Sequence, residues 1–112
     1  MLHLTITGPR IFALLFALYP VIDVLASRTQ KDVRQLAQDG AEAIIVIGGK
    51  HSANTVKLAI MATRTGLPCY HIETLKELDI DSVKKYSVVG VTAGASTPDF
   101  LIDEVCRKLE SL

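Results

Sequence analysis

The chain has 112 residues, enough for one domain, and its 49% hydrophobic and 21% charged residues argue against disorder. Twelve Lys and Arg balance twelve Asp and Glu. With zero net charge, no Lys/Arg cluster and no tryptophan, the strongest argument for a nucleic-acid or membrane-surface partner falls away. In chain order, "LHLTITG" alternates and is rich in Thr and Ile, which predicts a strand ended by Gly8-Pro9. "IFALLFALYPVIDVLA" (11–26) follows Arg10 and is laid out like a signal peptide. A membrane span needs about 20 apolar residues, and Pro20 and Asp23 interrupt this one. The preferred reading is a buried helix, Ile11 to Tyr19, then a strand from Val21. Residues 1–26 therefore stay open between buried structure and a signal-like segment, with 1–20 the uncertain N-terminal strand and apolar helix of the domain.

Thr29 with Asp32 suggests a capping box, and Val33, Leu36 and Ala37 give helical spacing up to Gly40. "AEAIIVIGG" is apolar on both faces, as a strand of a parallel sheet requires. Asn54 to Arg64 reads as a helix with Leu58, Ala59 and Ala62 inward, stopped at Gly66. "PCYHIE" is a strand, Thr74 and Glu77 box a short helix, and "SVVGVTAG" is a further strand. Ser96 with Asp99 is expected to cap the last helix, whose apolar stripe is Leu101, Val105 and Leu109. Strands alternating with helices predict one α/β domain over residues 1–112, three-layered, with a parallel sheet of about four strands flanked by helices.

Ligands of open parallel sheets bind outside the carboxyl ends of the strands. Two loops sit at such ends, Gly48 to Asn54 ("GGKHSAN") and Thr92 to Thr97 ("TAGAST"). Each leaves a buried strand, passes small residues and enters a helix with hydroxyl or amide side chains in its first turn. Helix N-termini carry unpaired N–H groups and partial positive charge, so paired loops of this kind suit a phosphate or diphosphate. The competing reading is plain helix capping. "GGKHSANT" is not a P-loop, because its glycine-to-lysine spacing is wrong. Lys50 reads as solvated, His51 as a loop residue, and His71 and Glu73 as structural. Cys69 and Cys106 have no metal-ligand spacing and read as half-buried or buried thiols in a reducing cytosol. No acid–base carboxylate pair and no nucleophile–base arrangement is legible.

"VIGGKHSANT", "YHIET" and "VGVTAGASTPDFLIDEV" together resemble the C-terminal third of 4-hydroxy-3-methylbut-2-enyl diphosphate reductase, the IspH or LytB family. The resemblance covers roughly Val21 to Leu112. It implies an iron–sulfur oxidoreductase of isoprenoid precursor synthesis. In that family three similar α/β domains surround a cavity holding a 4Fe-4S cluster, and an allylic diphosphate loses its hydroxyl reductively. A serine–serine–asparagine set and the serine of T-A-G-A-S hold the diphosphate. By position these are Ser52, Asn54 and Ser96, with Ala53 in place of the second serine.

The departures point away from turnover. Aligned on Gln30, the family's cluster cysteine falls at Asp23, and Cys69 and Cys106 fall on no ligand position. The other cluster cysteines, the cavity histidines and the proton-delivering glutamate belong to earlier parts of the family chain. The resemblance therefore implies a truncated or degenerate copy, inactive alone, with no metal site and no cofactor of its own. The expected ligand is an allylic or simple diphosphate, with no nucleic acid and no membrane partner. The chain is expected in the cytoplasm, as a homo-oligomer or with partner domains covering its sheet edges. Two alternatives remain: a ligand-free structural or interaction domain, and one piece of a split reductase.

Overall fold

The run Ala43–Ile47 is apolar and mostly β-branched, and all five of its residues are fully buried. That composition suits a strand covered on both faces. The computed structural model describes residues 22–27 and 31–112 and places this strand inside a four-stranded sheet. The elements are β1 (Asp23–Ser27), α1 (Lys31–Gln38), β2 (Ala43–Ile47), α2 (Ala53–Arg64), β3 (Cys69–Ile72), a 3₁₀ turn (Leu75–Glu77), α3 (Ile80–Val83), β4 (Val88–Ala93) and α4 (Asp99–Glu110). The sheet order is β1-β4-β2-β3, and every pairing is parallel. The three-layer α/β reading holds, with four strands among the described residues. The strand expected in residues 2–8, the helix Ile11–Tyr19 and the Thr29 cap lie outside them. Among the described residues, no helix is long and apolar enough to cross a membrane.

Alternation along β2 feeds two cores. Ile44 and Val46 pack with Val33 of α1 and with Leu58 and Ala62 of α2. Ile45 and Ile47 pack on the other face with Val89, Val91, Val83 and the α4 residues Val105 and Leu109. Each such side chain contributes roughly 1.5–3 kcal/mol by leaving water. Truncating Ile45 to alanine therefore costs about 2–5 kcal/mol. At the amino end of the sheet, one Glu42 carboxylate oxygen accepts from the backbone N–H groups of Ser87 (2.6 Å) and Val88 (3.0 Å). That side chain pins the start of β4 beside β2.

The Thr74–Glu77 box forms over a short helix, a single 3₁₀ turn; Leu78 is then extended, and Asp79 caps the short α3 through the Ser82 N–H and hydroxyl. Two local expectations change. Helix α2 starts one residue earlier than its spacing suggests, at Ala53, with Ser52 as N-cap. Ser96 does not cap α4: the helix opens at Asp99 with Pro98 at the cap position and no side-chain cap bond. The cause is Pro98 itself, which disfavours helical backbone at the residue before it.

Candidate functional site

β2 and β4 are neighbours, with Ile47 level with Ala93. Their carboxyl-end loops therefore leave the sheet side by side. The Ile47 carbonyl oxygen accepts from the Gly94 N–H (3.1 Å) and from the Thr97 hydroxyl (3.0 Å). The Thr97 N–H returns to the Gly94 carbonyl at 2.9 Å, closing the turn. On the other loop, the Ser52 N–H donates to the Gly49 carbonyl (3.1 Å), and the Ser52 hydroxyl accepts from the Thr55 N–H at 3.5 Å. The first-turn N–H groups of Ala53 and Asn54 have no acceptor within their helix.

All three residues expected on a diphosphate stand at this end of the sheet. Ser52 is half-buried at the cap of α2, Asn54 is exposed in its first turn, and Ser96 is exposed on the neighbouring loop. Ser52 keeps capacity for an anion, because a hydroxyl that accepts one N–H still has a proton to donate.

Two threonines not anticipated from spacing lie beneath these residues. Thr55 is fully buried at 0% exposure, and its hydroxyl has no hydrogen-bond partner. Thr97 is 7% exposed and holds the two loops together through Ile47. Gly48 has φ +150°, a conformation that favours glycine. A Cβ there would come within 2.6 Å of the Thr55 Oγ1.

Lys50 is exposed, as expected, and there pairs with Glu77 at 2.8 Å. The same carboxylate accepts from the N–H groups of Glu73 (2.9 Å) and Thr74 (3.0 Å). The Lys50 hydrogen bond holds the Glu77 carboxyl below its ordinary range, and in turn Glu77 raises the Lys50 ammonium. His71 Nε2 lies 3.1 Å from the Gly48 carbonyl oxygen and steadies the loop from β3, in line with its structural reading. Glu73 lies beyond the end of β3, exposed, and His51 is an exposed loop residue. A groove of about 420 Å³ lined by Lys50, Val56, Ala59, Ile60, Thr63, Arg64 and His71 runs along the β3 side of α2. Ser96 is not among its walls.

The residues do not fit an iron–sulfur cluster. Cys69 packs against the core on the α1/α2 face, Cys106 within the core on the α4 face, so the sheet separates the two thiols. Among the described residues, no group of three or more Cys, His, Asp or Glu side chains converges. Asp23, where the family resemblance would put a cluster cysteine, opens β1 level with Val88, whereas Ser27 is level with Thr92. At about 3.3 Å per residue, Asp23 is roughly 13 Å from the level where the loops emerge.

Fold and site together define a three-layer parallel α/β domain with paired, helix-capped loops at the carboxyl ends of adjacent central strands. Residues 24–110 match the family model described as LytB protein, and the chain belongs to that family. It is 60% identical over 95 residues to the 4-hydroxy-3-methylbut-2-enyl diphosphate reductase of Opitutus terrae, covering 82% of this chain and 33% of that protein. With the enzyme of the same description from Clostridioides difficile, identity is 45% over 93 residues, covering 80% and 33%. A solved structure of (E)-4-hydroxy-3-methyl-but-2-enyl diphosphate reductase, the terminal enzyme of the non-mevalonate pathway, superposes with TM-score 0.68. Identity there is 37%, over 74% of this chain and 29% of that one. The E-1-hydroxy-2-methyl-but-2-enyl-4-diphosphate reductase from Plasmodium falciparum shares the fold at TM-score 0.66 and 24% identity. The chain spans about a third of the length of the curated relatives it matches.

Proposed function

We propose that this chain is a diphosphate-holding domain of the LytB reductase type, serving isoprenoid precursor synthesis in the cytoplasm and not turning over alone. The observation that carries the reading is the juxtaposition of two helix-entering loops on adjacent strands, bound to each other through Ile47. Ser52, Asn54 and Ser96 donate to the anion, assisted by the first-turn N–H groups of α2. The two thiols on opposite faces give a four-iron cluster nothing to bind across, so none is held by these residues.

Each charge-assisted hydrogen bond contributes roughly 1.5–3 kcal/mol, against about 4 kcal/mol or more for capturing a ligand. The balance points to a Kd no better than about 0.1–1 mM. The groove along α2 has no wall from the β4 loop, so the carbon chain of a prenyl diphosphate adds little. Calorimetric titration with pyrophosphate and with isopentenyl diphosphate tests this. Similar affinities in that range support the reading, and no heat from either at about 10 mM removes it. The outer edges of β1 and β3 are unpaired among the described residues, which favours self-association or cover by further domains.

A second reading, a ligand-free structural domain, is favoured by one observation: the Ser52 hydroxyl already caps α2. The same titration separates the two.

A further inference from the structure

We propose that Thr55 is the positioning residue that sets the spacing of the two loops, and through it their grip on a diphosphate; the inference rests on the diphosphate reading above. Thr55 stands in the first turn of α2, between exposed Asn54 and half-buried Val56, yet none of its surface reaches solvent. Its hydroxyl has no hydrogen-bond partner. A buried, unpaired hydroxyl is unfavourable, so contact must compensate for what hydrogen bonding does not supply.

The contacts show what the side chain does. A Cβ built on Gly94 would lie 2.3 Å from the Thr55 Oγ1. One built on Gly48 would lie 2.6 Å from the same oxygen and 2.8 Å from the Thr55 methyl. Thr55 therefore occupies the volume that side chains at both glycines would need. One glycine ends β2 and the other ends β4, so a single side chain is wedged between the two loop bases.

Gly94 isolates the cause. Its backbone lies outside the left-handed region, unlike Gly48, so conformation does not demand glycine there. The close approach of Thr55 does. The next neighbours of a Gly94 Cβ are the Thr55 Cβ at 3.5 Å and the Thr97 Oγ1 at 3.6 Å, both ordinary contacts. Removing the one oxygen makes room for the extra methyl. Thr55 touches no ligand itself; it fixes how far the α2 N–H groups and Ser52 stand from Ser96.

The test is a double-mutant cycle on the full chain, read as pyrophosphate affinity by amide NMR, with urea unfolding of each variant run beside it. Affinity is measured where every variant is fully folded, so a merely structural role leaves Kd unchanged. Gly94→Ala is expected to weaken binding about tenfold and Thr55→Ala about three- to tenfold, while the double variant returns to within about threefold of the parent. Thr55→Ser keeps the oxygen, holds near-parent affinity and does not rescue Gly94→Ala. If Thr55→Ala fails to fold, Gly94→Ala and the double variant carry the test: affinity regained in the double variant supports the role, and affinity not regained overturns it. Additive losses, parent-like affinity in Gly94→Ala or Thr55→Ala, or failure of both Thr55→Ala variants to fold overturn the role while leaving the diphosphate reading in place. A parent protein that does not bind pyrophosphate removes that reading and this role with it.

Discussion

The Thr97 hydroxyl, buried beneath the β4 loop, donates to the carbonyl oxygen of Ile47 at the end of β2 at 3.0 Å. That carbonyl also receives the Gly94 N–H, so it keeps a partner when the hydroxyl is removed. Thr97→Val is therefore expected to cost about 1 kcal/mol, the net worth of one hydrogen bond, not the larger penalty of an orphaned acceptor. Urea unfolding with an unchanged slope checks this. The Gly94 amide should also exchange faster with solvent.

The Lys50–Glu77 pair predicts a pH dependence with a defined sign. The Glu77 carboxyl is held below its ordinary range, first by the Lys50 hydrogen bond and then by the Glu73 N–H. Its contribution to stability is therefore present above the unfolded glutamate pKa of about 4.3 and is lost as pH falls through the lower folded value. Lys50 is raised, so its share persists below the ordinary lysine pKa and is lost as pH climbs past its folded value. The melting-temperature gap between the parent and Glu77→Gln should close on acidification below about pH 4.3. Glu77→Gln should also free Lys50 and tighten pyrophosphate binding about twofold at low salt, less as salt rises. A gap that widens in acid contradicts the pairing.

Much of this arrangement is legible in the sequence, for identifiable reasons. β2 and β4 announce themselves because strands buried on both faces must be apolar throughout. The two loops are legible because glycine and hydroxyl residues concentrate where a strand hands over to a helix. Thr55 is not, because a threonine early in a helix argues for a surface position, and its burial depends on a glycine from a distant strand. The Lys50–Glu77 pair joins residues 27 apart, with no local signal. The Ser96–Asp99 spacing imitates a cap, but the constraint Pro98 places on its predecessor decides where α4 begins.

The thiols give a further test. Burial, with the Glu110 and Asp103 carboxylates nearby, pushes the Cys106 thiol up to about 12. Burial also raises Cys69, which is only half-buried. A thiol-reactive dye at pH 8 should label Cys69 slowly and Cys106 only after unfolding, because the thiolate is the nucleophile. An intramolecular disulfide in the native protein would contradict the placement of the two thiols on opposite faces.

Anaerobic incubation with iron and sulfide should leave the purified chain colourless, with no stoichiometric iron after desalting. The sheet keeps the two thiols apart, and the chain's cysteines are Cys69 and Cys106 alone. A brown protein with bound iron and sulfide in a fixed ratio would contradict this.

The central claim, that the two strand-end loops together hold a diphosphate, is tested most directly by titrating the labelled chain with pyrophosphate and following every backbone amide. Shifts should concentrate in residues 48–54 and 92–96, saturate with a Kd of about 0.1–1 mM, and weaken in Asn54→Ala. Shifts confined to one loop, shifts scattered elsewhere, or none at about 10 mM pyrophosphate would contradict the account and leave these loops as strand-to-helix connections alone, with Ser52 as a helix cap.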